Sequence, residues 1–176
     1  MAIKPTIYKF NVVLSDLNRD YYDNLNLTLA LHPSETPERM MVRLLAFCIN
    51  AQADLKFTKG LSEVEEPDLW NVALDEQIEV WIDVGEPEVE RIKKATRKAK
   101  QVLVYSFNTK SDVWWEQSQA KFNQLSARFF RFEWNSIKTL ASQISRTTAM
   151  SVLITGDSAF VTTEAGECEI AWQNLN

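Results

Sequence analysis

Between residues 78 and 84 the chain alternates without a break. Ile78, Val80, Ile82 and Val84 fall on one side, and Glu79, Trp81 and Asp83 on the other. Only an extended strand, with its period of two, sorts residues in this way. The aliphatic side is expected to pack on a helix, and the opposite side to carry polar chemistry. Residues 66–73 read as a second strand, with Leu74–Gln77 as the connection, so a hairpin is expected.

Turn geometry sets which side chains meet. A turn centred on Asp75-Glu76 places Val72 opposite Glu79, Trp70 opposite Trp81 and Asp68 opposite Asp83. Directly opposed residues have Cβ atoms ~5 Å apart. Two carboxylates at that distance repel, and a divalent cation between them offsets the cost. Glu79 and Asp83, four apart on one strand, lie ~13 Å from each other and cannot share an ion. A two-residue register shift would separate Asp68 from Asp83 and bring Glu66, Glu65 or Glu79 forward. The blander alternative puts both acids on a solvated sheet face. Two tryptophans at one cross-strand position point instead to a partly covered cleft.

The rest of the chain reads as a mixed α/β fold. Residues 6–15 and 25–31 alternate on either side of the polar stretch Asp16–Asp20, which predicts an N-terminal hairpin. Ser34 or Thr36 can cap a helix from Pro37 to about Ala51, where Met40, Met41, Leu44, Leu45 and Cys48 recur at helical spacing. Helices are expected at Pro87–Lys100, Asp112–Ser126 and Asn135–Arg146, and strands at Val102–Phe107 and Arg128–Trp134. The tail from Thr148 to Trp172 reads as strands turning at Gly156-Asp157 and near Gly166. With 176 residues, 45% of them apolar, one domain spanning 1–176 is expected.

Composition removes several chemistries. Gly60, Gly85, Gly156 and Gly166 are too scattered for a phosphate-cradling loop, so no nucleotide cofactor is expected. Cys48 and Cys168 cannot form a close redox pair, and His32 alone cannot build a histidine metal site. Any metal must be held by oxygens, which selects Mg²⁺ or Mn²⁺. No membrane-spanning run or signal-peptide core is visible, and the distant cysteines suit a reducing compartment; the cytoplasm is the expected location.

Two further features bear on function. Glu38 sits on or beside the apolar stripe of its helix, where a carboxylate needs a partner, a metal, water or a capping role. Arg91, Lys93, Lys94, Arg97, Lys98 and Lys100 give six cations in ten residues of a chain whose net charge is −5. They form either a local anion-binding face or a solvated helix surface. On a helical wheel Ile92, Ala95 and Ala99 face inward, while Lys94 and Arg97 point outward.

Residues 60–100, with HPSETPERMMVRLLA (32–46) and VWWEQSQAKF (113–122), resemble the YaeQ family of bacterial proteins. That resemblance implies a fold like the PD-(D/E)XK nucleases, a mixed sheet flanked by helices. It places Asp68 and Asp83 as ligands of Mg²⁺ or Mn²⁺ and Glu38 as a further or water-mediated ligand. Gly85 replaces the motif lysine, and Lys94, or else Lys93, is the expected substitute from the following helix. Arg91, Lys93, Arg97 and Lys98 would contact a nucleic-acid backbone, with Trp70 and Trp81 stacking on bases. The implied function is a metal-dependent nuclease. The alternative is a non-catalytic module binding nucleic acid or a protein partner on a degenerate nuclease fold.

Overall fold

Residues 4–176 are described by a computed structural model. In chain order the elements are β1 (Thr6–Asp16), β2 (Tyr21–Leu31), α1 (Pro37–Asn50), β3 (Leu55–Phe57), β4 (Leu69–Val72), β5 (Ile78–Val84), α2 (Val89–Lys98), β6 (Ala99–Ser106), α3 (Ser111–Phe122), β7 (Arg128–Phe132), α4 (Trp134–Ala141), β8 (Thr147–Thr155), β9 (Ser158–Thr163) and β10 (Gly166–Asn174). The fold is mixed α+β, as the alternating periodicities predict. Contacts gather the described residues into two compact units. One holds those up to Ile49 together with Glu133–Trp172, the other Asn50–Phe132 together with Gln173–Asn176.

In the first unit the strand order is β2-β1-β8-β9-β10. β1 and β2 are antiparallel, with Phe10 opposite Leu27 and Val12 opposite Leu25. β8 joins β1 in parallel, and β9 and β10 follow as antiparallel neighbours. One face of this sheet is apolar and buried, through Phe10, Val12, Leu14, Leu29, Met150, Val152, Val161 and Ile170. The polar link after β1 closes on Asp16, whose carboxylate accepts from the Asn18 backbone and from Arg19 Nε. Of the two capping candidates before α1, Thr36 accepts from the Arg39 backbone N–H at 3.2 Å. Every residue of α1 from Met40 to Cys48 is buried, including Arg43. Arg43 survives there because Glu35 is buried beside it. Nη2 donates to Oε1 at 2.7 Å and Nε to Oε2 at 2.9 Å, while Nη2 also reaches the Ala30 carbonyl.

In the second unit the order is β3-β4-β5-β6-β7, with β5, β6 and β7 parallel. α2 and α3 make the two crossovers. They pack Ile92, Ala95 and Phe122 against Trp81, Val102, Val104 and Phe129. Here the expectation for β5 needs correction. The helix covers the Trp81 and Asp83 side, and the aliphatic side is buried too, so Val80 to Val84 are all inaccessible. Asp68 and Asp83 therefore do not lie on a solvated face.

Several boundaries differ from the periodicity reading. α2 ends at Lys98 because Ala99 turns extended and pairs with Ile78, starting β6 three residues early. α4 is shorter than expected and begins at Trp134, capped by Glu133, whose side chain accepts from the Asn135 and Ser136 N–H groups. β3 was not legible, because three residues carry too little period to detect. Among the described residues no helix is long and apolar enough to cross a membrane.

Replacing Glu35 by Ala strands the Arg43 charge inside the unit. Loss of one partner from a buried pair costs about 3–5 kcal/mol. Thr36→Ala, which removes only a cap, is expected to cost about 1 kcal/mol. Urea unfolding of the two variants checks this ordering, and equal losses would contradict it.

Candidate functional site

The hairpin register forms at the end where the acids stand. β4 pairs with β5 through Trp70 opposite Trp81 and Leu69 opposite Ile82. Asp68 precedes Leu69, and its backbone N–H donates to the Ile82 carbonyl at 3.0 Å. Asp68 stands one residue outside that paired segment, close enough to Asp83 for its charge to act on it. Toward the turn the expected register breaks. An irregularity between Asn71 and Val72 brings Val72 opposite Ile78 instead of Glu79. Glu79 is turned to Lys100, with its Oε1 3.0 Å from Nζ, and does not join the two aspartates.

Asp68 is a structural acceptor. Its Oδ2 takes the Val84 backbone N–H at 2.8 Å, tying the start of β4 to the end of β5. Asp83 is 2% exposed, and both its oxygens are held by one side chain. Arg91 Nε donates to Oδ2 at 2.9 Å and Nη2 to Oδ1 at 3.0 Å. The same guanidinium donates to the Val64 carbonyl at 2.7 Å and the Glu66 carbonyl at 2.9 Å. Arg91 also lies 5.8 Å from the centroid of the Trp81 ring. The buried Trp81 N–H faces the Asp83 carboxylate without reaching hydrogen-bonding geometry to any atom. Burial pushes the Asp83 carboxyl above its ordinary value, the Arg91 hydrogen bonds and charge oppose this, and nearby Asp68 adds to the rise.

Helix α2 reaches this position through a short loop. Gly85 has φ +112, a conformation that side-chain-bearing residues rarely adopt, and its N–H donates to the Tyr105 carbonyl. Any side chain at position 85 would be strained, which accounts for glycine there. Trp114 on α3 donates its indole N–H to the Pro87 carbonyl at 2.8 Å, holding the loop as it enters α2. The cation delivered to Asp83 is thus Arg91. Lys94, the expected substitute for the motif lysine, is exposed, as are Lys93, Arg97 and Lys98. Lys94 and Lys98 line a cavity of about 340 Å³ with Val64, Glu65, Trp81 and Arg91. Lys98 pairs loosely with Glu65 at 3.8 Å. No acid among the described residues forms an ion pair with Lys93, Lys94 or Arg97.

The remaining candidates separate. Trp81 is 3% exposed, so it offers no stacking platform; it packs in the core beneath α2. Trp70 is half-buried, meets Trp81 edge to face at 6.5 Å, and borders a groove with Asp54, Lys56 and Glu76. Glu38 occupies the first turn of α1 and is half-buried. Among the described residues no three His, Cys, Asp or Glu side chains converge on a point that would hold a metal ion. A resident Mg²⁺ or Mn²⁺ needs several oxygens facing one centre. Asp83 instead gives both of its oxygens to a guanidinium, so this donor set does not fit such an ion.

Proton linkage supplies a test of the fork. A carboxyl with a folded-state value above its unfolded value holds more protons when folded. Its contribution to stability therefore falls as pH rises from the ordinary value, 3.8, through the folded one. Removing Arg91 deletes the main opposing influence and moves that interval upward. Arg91→Ala is expected to lose about 3 kcal/mol near neutrality, the low end for a broken buried pair, because Arg91 is itself 31% exposed. Stability relative to the unchanged chain should return as acidification protonates Asp83. Urea unfolding from neutral to about pH 4.5 checks this, and a loss that stays constant with pH would contradict it.

Comparison with known proteins places this architecture. A family model described as YaeQ protein matches residues 1–172. The YaeQ protein of Escherichia coli (strain K12) is 37% identical over 180 residues, covering 98% of both chains, and that of Salmonella typhi is equally similar. The crystal structure of YaeQ from Xanthomonas axonopodis pv. citri superposes with a TM-score of 0.93 at 31% identity, covering 97% of each chain. The YaeQ structure from Pseudomonas syringae gives 0.93 at 34% identity, covering 98% of this chain and 96% of that one. With the family model matching nearly its whole length, this chain belongs to the YaeQ family.

Proposed function

We propose that this protein is a non-catalytic nucleic-acid-binding module on a degenerate nuclease-like fold. The observation that carries the proposal is the division of labour along α2. Arg91 is consumed internally by Asp83 and two carbonyls. Lys93, Lys94 and Arg97 project outward without acidic partners among the described residues. A short row of exposed cations suits a phosphate backbone, where each contact releases condensed counterions. The net charge of −5 argues against a broad, nonspecific nucleic-acid surface. Trp70, half-buried on β4, would add stacking beyond the backbone contacts.

A second reading, the Mg²⁺- or Mn²⁺-dependent nuclease, is favoured by one observation, the adjacency of Asp68 and Asp83. It requires Arg91 to leave its fork before those acids can face an ion.

Fluorescence anisotropy with labelled single-stranded RNA and DNA tests the proposal. The triple reversal Lys93→Glu, Lys94→Glu, Arg97→Glu should weaken binding by more than about tenfold and flatten the plot of log K against log salt by about 2. Asp83→Asn should bind as the unchanged chain does. Absence of binding at low salt, or binding indifferent to the triple reversal, would contradict the proposal; an acidic protein partner would then be the ligand to seek. Cleavage by the unchanged chain that disappears in Asp83→Asn would favour the nuclease reading.

A further inference from the structure

The first unit buries one face of its sheet and leaves the other bare. The register places Tyr22, Ser15, Leu153, Phe160 and Glu169 in one row across β2, β1, β8, β9 and β10. The neighbouring row is Asn24, Val13, Ser151, Thr162 and Glu167. Tyr22 is 59% exposed, Val13 55%, Phe160 41% and Leu153 38%, so an apolar track crosses four strands in the open.

The track has an electrically neutral surround. Asn24, Asn26 and Thr28 on β2, Asn11, Val13 and Ser15 on β1, and Ala149, Ser151 and Leu153 on β8 share this face, and none is charged. Lys9 stands at one end of β1, and the fifth strand, β10, brings Glu169 opposite Phe160 and Glu167 opposite Thr162, so the neutral zone is that of β2, β1 and β8. Such a gap in charge is unexpected on a chain of which 24% of residues are charged. A strongly basic or acidic partner finds no complement there. Two copies of this acidic chain, each carrying −5, can meet there without opposing like charges at the centre.

Size fits the same occupant. Five strands at ~4.8 Å spacing, each about nine residues at ~3.3 Å, present roughly 700 Å² in projection. A stable interface takes about 800 Å² from each partner. The polar, hydroxyl- and amide-rich border with an apolar centre is also the usual anatomy of such a patch.

We propose that this face is a self-association surface, through which two copies of the chain pack sheet on sheet about a two-fold axis. The closed symmetric arrangement uses the same patch on both copies, so no second surface is needed.

Sedimentation equilibrium across a concentration series tests it. The unchanged chain should approach twice its 20.3 kDa mass in the micromolar range and dissociate on dilution. The double substitution Leu153→Glu, Phe160→Lys should raise the dimer Kd by at least about tenfold, as loss of central apolar contacts does. Both positions are exposed, so the far-UV spectrum and melting of the monomer should be retained. Val113→Glu, at an exposed apolar residue of α3 in the other unit, should leave the dimer intact. A monomer at all concentrations would overturn the proposal. A dimer unaffected by Leu153→Glu, Phe160→Lys, or one dissociated equally by Val113→Glu, would also overturn it.

Discussion

The end of the β4–β5 hairpin depends on one fork of hydrogen bonds between Arg91 and Asp83. A buried carboxylate without a partner is among the most expensive groups a protein can enclose. Here it sits beside a second acid, Asp68, beneath a helix and against tryptophan. One guanidinium answers all of this. Its planar fork matches the carboxylate, and its remaining N–H groups satisfy the carbonyls of Val64 and Glu66. The loop before β4, the end of β5 and the first turns of α2 are thereby fixed to one another.

The same fork decides what the site can do. In a metal-dependent hydrolase the two acids would give their oxygens to an ion, which lowers the pKa of bound water. In this chain a side chain carries that positive charge. Arg91 supplies the counter-charge to Asp83 and occupies both of its oxygens. Buried ion pairs add little net stability compared with apolar packing but strongly penalise loss of either partner. The arrangement therefore fixes geometry, and it leaves the outer face of α2 to interact with anything external.

Much of this was legible in the sequence because the signals were local. Alternation located β1, β2 and β5, and the spacing of Met40, Leu44 and Cys48 located α1. The Trp70–Trp81 pairing followed from counting back from the turn. What escaped was set by tertiary context. β5 looked amphipathic, yet Trp81 and Asp83 are as buried as Ile82, since α2 packs over the Trp81 side and the aliphatic side is buried as well. The family resemblance singles out Lys94, or else Lys93, as the cation beside the acids, whereas Arg91 is the one that reaches Asp83. The wheel turns Lys94 outward, which counts against it, but periodicity alone does not single out Arg91. The Val72–Ile78 slip could not be read, because an irregular turn leaves no periodic trace. The family membership was legible from the segments around Asp68, Asp83 and α1.

Arg91 holds both oxygens of Asp83 and so denies them to a divalent ion. Calorimetric titration of Mn²⁺ into the unchanged chain and into Arg91→Ala tests this most directly. No saturable heat is expected for the unchanged chain up to millimolar metal. In Arg91→Ala, saturable binding should appear and should be abolished by adding Asp83→Ala. Saturable binding by the unchanged chain that depends on Asp83 would show that the Arg91 fork does not keep an ion from these acids.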